Sequence, residues 1–494
     1  MSSPTAPTGA APAMRFSPMT VVAVLCIGSL SGALMQSLVI PIQRELPELL
    51  HTSASNASWA VTATLLAGAV TMPVTGRLAD MYGKKRVLLV SATLLVLGSV
   101  VAALSSTLAL FLVGRALQGM AMGYIPVAIS LVREVAPPAR ATGAVAAVSA
   151  TLGVGGALGL PIAAWIAQDY SWHDLFWLSA VLAAVVVVLT AFVVPHIHDE
   201  HPAHIDPVGI IGLAVGLVSA LVGVSKGSEW GWGSGRTIGS IVAGVIVLLV
   251  WGAYELRHHD PLVDLRTMAR RPVLFTNLAA VLVGFGMMAQ SIIVPQLLEM
   301  PEATGYGLGQ SILHAGLWMA PAGLMMMAFA PVSSALITHR GARVTLATGA
   351  LVISIGYVIA LFLMNAPWQL MVASCVASAG VGIGYAAMPT LILDNVPMHE
   401  AGASVGVNGL MRSVGTTVAG AVMAAVLTSR TTVLAPGTPA IPTEGAFKVC
   451  FIIGACAAVA GAAIAMLVPR RVRPDAEAQP AGVDLAPEGA VVAG

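Results

Sequence analysis

The chain has 494 residues, 57% of them hydrophobic and only 9% charged, with a formal net charge of +1. Soluble domains carry about 25% charged residues; so small a charged fraction cannot cover a water-exposed surface, which excludes a soluble fold. The near-neutral balance excludes a nucleic-acid partner, which requires a basic face.

Apolar runs of roughly 20 residues cross a bilayer as helices, since only internally hydrogen-bonded backbone survives in hydrocarbon. The first seventeen residues, rich in Pro, Ala, Ser and Thr, read as a disordered tail. Fourteen candidate spans follow, at 18–40, 58–78, 87–106, 108–132, 143–167, 173–194, 207–225, 237–256, 273–298, 312–336, 343–364, 368–393, 402–427 and 447–468. The 51 glycines suit helix contacts in a membrane, which favour small residues. Cys26, Cys375, Cys450 and Cys456 all lie in apolar runs without C-x-x-C spacing, as core residues do. If the loop around Asp80 is cytoplasmic, 16 cations face that side and 5 the other, with Arg115 and Arg412 inside spans. By the positive-inside rule both termini are then cytoplasmic.

The chain repeats itself. Gln36-Ser37-Leu38-Val39-Ile40-Pro41 recurs as Gln290-Ser291-Ile292-Ile293-Val294-Pro295, 254 residues later. Pro73 to Gly83 recurs as Pro331 to Gly341, and Gly123-Tyr124 as Gly384-Tyr385, at shifts of 258 and 261. The reading is a duplicated six-span unit, with bundles at 18–194 and 273–468, an inserted pair with its linkers at 195–272, and a tail at 469–494.

Between spans 2 and 3 stands Gly76-Arg77-Leu78-Ala79-Asp80-Met81-Tyr82-Gly83-Lys84-Lys85-Arg86-Val87, read as a glycine-hinged loop with one carboxylate and three consecutive cations. It resembles the signature G-x-L-a-D-r-x-G-r-[KR] of the major facilitator superfamily, with Met81 in place of one cation. Ile205-Asp206-Pro207-Val208-Gly209, Glu229-Trp230-Gly231-Trp232-Gly233-Ser234 and Pro261-Leu262-Val263-Asp264-Leu265 are similar to segments flanking the inserted pair of its fourteen-span drug:proton antiporter family, the multidrug efflux type. The resemblance implies an all-α membrane protein of the major facilitator fold, two six-helix bundles plus two inserted helices. Its implied function is proton-coupled export of amphiphilic drugs across the inner membrane by alternating access. No cofactor beyond the proton gradient is implied, and a monomer is expected. A proton-coupled symporter or uniporter of a small metabolite is the competing reading. A polytopic enzyme would need clustered acid, base or metal residues, and no H-E-x-x-H, G-x-S-x-G or phosphate-cradling pattern occurs.

The resemblance also implies roles. Asp80 would dock on the start of span 13, near Gly402, while Lys84 and Glu134 complete the latch with Gly76 and Gly83 as its glycines. Arg115, in Gly114-Arg115-Ala116-Leu117-Gln118-Gly119, matches the span-4 motif associated with proton coupling; a guanidinium in hydrocarbon is a functional candidate. The competing role is a hydrogen-bond anchor for span 1 carbonyls. The span-5 antiporter motif survives as Gly155, Gly159 and a displaced Pro161, ending in Ala163-Ala164. Gln36 and Gln290, with Met35 and Met288, are expected to line a central cavity and touch substrate; a helix–helix hydrogen bond is the alternative for the amides. Arg412, in a segment resembling N-n-x-x-R, has either a packing or a functional role. Span 1 lacks the buried Asp of many relatives, leaving Glu134, Asp394, Glu45, Glu48, Glu299, Glu302 and His314 as proton-carrier candidates. The His-rich run at 196–204 is not expected to bind metal.

Overall fold

The computed structural model describes residues 16–197, 204–433 and 440–469. The N-terminal stretch before Phe16, the centre of the His-rich run and the tail from Arg470 lie outside them. Fourteen helices are long and apolar enough to span a membrane: Pro18–Ser37, Trp59–Tyr82, Lys84–Ala103, Leu108–Val135, Pro138–Asp169, His173–Val193, Pro207–Trp230, Gly235–Glu255, Arg271–Glu299, Ile312–Arg340, Ala342–Phe362, Pro367–Leu393, Met398–Ser429 and Glu444–Leu467, numbered spans 1 to 14. The chain is a nearly all-helical multi-pass membrane protein. A two-residue antiparallel pairing, Thr431–Thr432 with Ile441–Pro442, bridges the connection between spans 13 and 14.

Polar signals bound several helices. Ser17, Thr107, Asp206, Ser234, Ser311 and Thr443 accept hydrogen bonds from the first turns of spans 1, 4, 7, 8, 10 and 14. Two glycines turn the chain where no side chain is tolerated. Gly83 ends span 2 at φ 90° and Gly341 ends span 10 at φ 84°, at equivalent points of the repeat.

The expected loop after Gly76 is one residue long. Helix continues through Tyr82, so Gly76 and Asp80 are helical, and span 3 begins at Lys84. Gly76 is not a hinge. Its missing Cβ admits the Gly402 carbonyl of span 13, which a methyl group would strike. Span 5 likewise starts at Pro138, a turn earlier than expected, because Pro fits the first helical positions.

Neighbour relations correspond between spans 1–6 and 9–14. Spans 1 and 5, 2 and 4, 3 and 4, and 3 and 6 pack together, and so do 9 and 13, 10 and 12, 11 and 12, and 11 and 14. Two seams join the sets: span 2 against 13, and span 5 against 10. The repeat exchanges one seam for the other.

On the face that carries Gly83, called the Asp80 face, the sets share apolar clusters: Ala401 and Val405 pack with Ala79, Leu131 and Val135. Towards the opposite face, the cluster from Leu34 to Phe176 draws on the first six spans alone. The molecule is thus closed at the Asp80 face. The inserted pair covers the span 2–13 seam, Leu213, Leu217 and Leu221 packing with Leu66, Ala69, Val407 and Leu410.

Candidate functional site

Asp80 lies in the last turn of span 2, only 4% exposed, and crosses the seam. Its Oδ1 accepts from the Gly402 amide at 3.0 Å and its Oδ2 from the Ala403 amide at 2.9 Å. These amides open span 13, where early N–H groups have no partner in their own helix and the dipole favours an anion. The approach depends on small residues on both sides. A Cβ on Gly406 would strike the Met72 carbonyl, as one on Gly76 would strike Gly402.

Lys84 ion-pairs with Glu134, both nearly buried, and joins the start of span 3 to the end of span 4. Arg133 Nη2 reaches Asp394 Oδ1 at 3.0 Å across the seam. Sequence reasoning had placed Asp394 only among proton-carrier candidates and missed this bond. The signal was present: Arg133 and Asp394 are 261 residues apart, the shift that relates Tyr124 to Tyr385. Equivalent residues near a pseudo-two-fold axis meet, and here they carry opposite charge.

Arg115 is the largest fully buried side chain. Its Nε donates to the Ala60 carbonyl at 3.0 Å, and its Nη1 to Gln118 Oε1 at 2.7 Å and Met35 Sδ at 3.4 Å. Gln118 Nε2 donates to Ser99 Oγ at 2.9 Å, and Ser99 shares a 2.9 Å hydrogen bond with Ser179. The relay links spans 1, 2, 3, 4 and 6 with no carboxylate in it. The carbonyl anchored by Arg115 belongs to span 2; span 1 contributes a thioether, because Met35 points inward. That corrects the expectation for Met35, whose side chain is 1% exposed and held in the bundle rather than at a cavity wall.

Gln290 is mostly buried in mid-span 9, whereas Gln36 stands in the last turn of span 1 and is partly exposed. Their setting differs because span 1 stops at Ser37, before Pro41, while span 9 runs through Pro295 to Glu299. Neither amide bonds to another described residue. Met288 packs against the cluster of spans 9–14.

The span-5 glycines face span 1: a Cβ on Gly155 would meet Ala33 and Leu34, and one on Gly159 would meet Ser37. Ser37 Oγ donates to the Gly155 carbonyl at 3.1 Å. Pro161 lies inside span 5 where Gly316 of span 10 approaches, 3.7 Å from its nitrogen to a Cβ built at Gly316. Arg412 sits over the Tyr385 ring, 4.5 Å from its centroid, within spans 12 and 13. Ser311 caps span 10 by accepting from the His314 amide at 3.2 Å, and its hydroxyl shares a 2.7 Å hydrogen bond with the His314 ring Nδ1.

A polar cleft of about 290 Å³ opens beside Asp80, walled by Arg77, His259, Asp260, Asp264, His399 and Glu400 among others. Desolvation works against ionisation of Asp260. Hydrogen bonds from the His204 side chain and backbone, with His259 and Arg77 nearby, nevertheless hold its carboxyl below the ordinary value. Drug-sized ligands take mainly apolar pockets of about 300–1,000 Å³, whereas this cleft is lined largely by charged and polar groups. Among the described residues no group of three or more His, Cys, Asp or Glu side chains could hold a metal ion.

A seam between repeated helical sets, clamped by a carboxylate on one face, is an arrangement suited to a membrane transporter. The model of the Major Facilitator Superfamily matches residues 25–420, and the chain belongs to that family. It is a transporter family, so the chain is not an enzyme. An uncharacterised MFS-type transporter of Mycobacterium tuberculosis is 31% identical over 338 residues, covering 65% of this chain and 49% of that one. The chain thus spans about half the length of that relative. The tetracenomycin C resistance and export protein of Streptomyces glaucescens is 26% identical over 433 residues, 84% of this chain and 77% of that one. The crystal structure of the human organic anion transporter MFSD10 shares the fold, with a TM-score of 0.64 at 16% identity, covering 91% of this chain and 100% of that one.

Proposed function

We propose that the chain exports amphiphilic compounds, drugs or antibiotics among them, across the cell membrane in exchange for protons, as a fourteen-span antiporter with both termini cytoplasmic. The observation that carries this reading is the Asp80 clamp on the Gly402 and Ala403 amides. It closes the face that the cation bias assigns to the cytoplasm, so its release opens a path from the cytoplasm. A relative named for tetracenomycin C resistance and export supports the substrate class. Arg115 supports the coupling role: it is a desolvated guanidinium without a carboxylate partner, standing in the motif that the resemblance associates with proton coupling.

The test uses the purified chain in liposomes with an imposed pH gradient and a fluorescent amphiphilic dye. Dye moving against the proton flux, and stopping with a protonophore, is the expected result. Dye moving with the protons would establish symport, and dye indifferent to the gradient uniport; either sinks antiport. Gln290→Ala sharpens the substrate assignment: loss for some dyes and not others places the amide against substrate, and uniform loss makes it a packing residue.

A further inference from the structure

The inserted pair ends on the Asp80 face in two buried carboxylates that the export reading does not use. Asp206, 5% exposed, is the N-cap of span 7; Glu255, 2% exposed, is the last residue of span 8. Asp206 Oδ1 is satisfied by the Gly209 amide at 2.8 Å and the Tyr254 hydroxyl at 3.0 Å. Glu255 Oε2 accepts from the Val263 amide at 3.5 Å. The remaining oxygens, Asp206 Oδ2 and Glu255 Oε1, are buried and receive no hydrogen bond. Both converge on Gly209, where a Cβ would collide with each.

Two buried acceptors facing each other without a donor are costly, and two adjacent buried negative charges more so. One proton between them removes both penalties. Its position follows from the helix ends. Asp206 receives two donors at the positive end of span 7; Glu255 sits at the negative end of span 8, held by the Val263 amide at 3.5 Å and by the Leu262 amide. We propose that Asp206 and Glu255 form a proton-binding site, in which Glu255 Oε1 carries one proton and donates it to Asp206 Oδ2. The bond closes the base of the inserted pair and holds Glu255 where it receives the Val263 amide. Leu262 and Val263 wall the cleft beside Asp80, so the site braces the gate. Release sends the proton to water on that face and leaves two carboxylates repelling each other.

Other charges face the site. His258 Nε2 stands 4.0 Å from Asp206 Oδ2 and is the competing partner for that oxygen. Arg77 of span 2 shares a small cleft with Asp206, His204 and Asp260. His259 and Asp264 lie further along the connecting segment, where Arg266 bonds the Leu256 carbonyl at 3.0 Å. Asp260, held below the ordinary carboxylate range, stays ionised when the pair titrates.

The proposal goes beyond the export reading and needs neither substrate nor gradient. The experiment is infrared spectroscopy of the full chain in lipid, stepped from about pH 5 to about pH 9 and read beside the ordinary glutamate value of about 4.3. A carboxylic-acid carbonyl band, about one group per chain, is expected at neutral pH in wild type and absent in Glu255→Gln; His258→Gln retains it. Asp206→Asn shifts or removes it, because the acceptor loses its charge. Thermal unfolding gives a second readout. A group that binds a proton more tightly when folded loses its stabilising contribution as pH rises through its folded titration. Wild type therefore melts lower as pH rises through that range, while Glu255→Gln, whose amide donates permanently, does not. Absence of the band in wild type, or its survival in Glu255→Gln, overturns the proposal.

Discussion

The two halves of the duplication share a set of helix neighbours but not a set of polar anchors. In spans 1–6 Asp80 reaches across the seam, Lys84 and Glu134 pair, and Arg115 organises a relay through five helices. In spans 9–14 the position of Asp80 is taken by Thr338, an exposed residue that bonds only its own helix, at Ser334, 2.9 Å away. The 261-residue shift places Val376 and Ala379 where the first half has Arg115 and Gln118. Duplication therefore preserved the geometry of packing and the two positive-φ glycines. The charged devices were kept in one copy. One half supplies the carboxylate, and the other the helix start that holds it.

The largest expected effect comes from removing what the second half lacks. Arg115→Leu leaves Gln118 and the Ala60 carbonyl without their donor, each unsatisfied group costing about 1–3 kcal/mol. Transport should fall by at least an order of magnitude in the liposome dye assay. Val376→Ile in the other half should cost under about 1.5 kcal/mol, as near-isosteric apolar swaps do. Arg115→Leu with unchanged proton-coupled transport removes the coupling role. Retained folding with uncoupled dye flux would give it direct support.

The two seams offer the next comparison, because their glycines meet different obstacles. A Cβ at Gly76 would run into the Gly402 backbone, whereas one at Gly153 would meet the flexible Met326 side chain. Overpacking against groups that cannot move costs about 1–3 kcal/mol. Gly76→Ala should open the Asp80 face, read as faster thiol labelling of a cysteine placed at Ser404 in a cysteine-free background. Gly153→Ala should change labelling by less, since Met326 can repack. Equal effects at the two seams would mean that closure does not depend on backbone approach at span 2.

Much of this was legible in the residues. Run length and composition specify fourteen membrane-length helices, because hydrocarbon leaves the backbone little choice. The repeat specifies which helices are equivalent. Side-chain direction was harder to read. Met35 looks like cavity lining beside Gln36, yet one helical step of about 100° turns it into the bundle towards Arg115. The Arg133–Asp394 bond needed the pseudo-two-fold axis as well as the repeat. Asp206 and Glu255 are 49 residues apart at opposite ends of a hairpin, so only the folded inserted pair brings their unpaired oxygens together.

The smallest expected effect tests the asymmetry at its source. Asp80→Asn keeps the shape of the side chain but leaves one carbonyl oxygen for two amides and removes the charge from the span 13 terminus. A charge at a helix end contributes about 0.3–1 kcal/mol, and up to about 2 when partly buried. The closed state should weaken by that amount, from under about two-fold to roughly thirty-fold in population at about 1.4 kcal/mol per decade. Folding should be intact, because the carboxylate is anchored at one interface and not in a bundle core. Thr338→Ala should then be silent in both transport and labelling, its hydroxyl bonding nothing outside its own helix. The informative variant is Thr338→Asp. The repeat exchanges the span 2–13 seam for the span 5–10 seam, so an aspartate there faces the start of span 5, whose second and third residues, Ala139 and Arg140, stand where Gly402 and Ala403 stand in span 13 and carry amide hydrogens. With those donors a second clamp can form, and Thr338→Asp should strengthen closure, read as slower labelling at Ser404. Unchanged labelling at Ser404 in Thr338→Asp would show that the start of span 5 no longer receives a carboxylate, so that the second half lost the receptor as well as the aspartate.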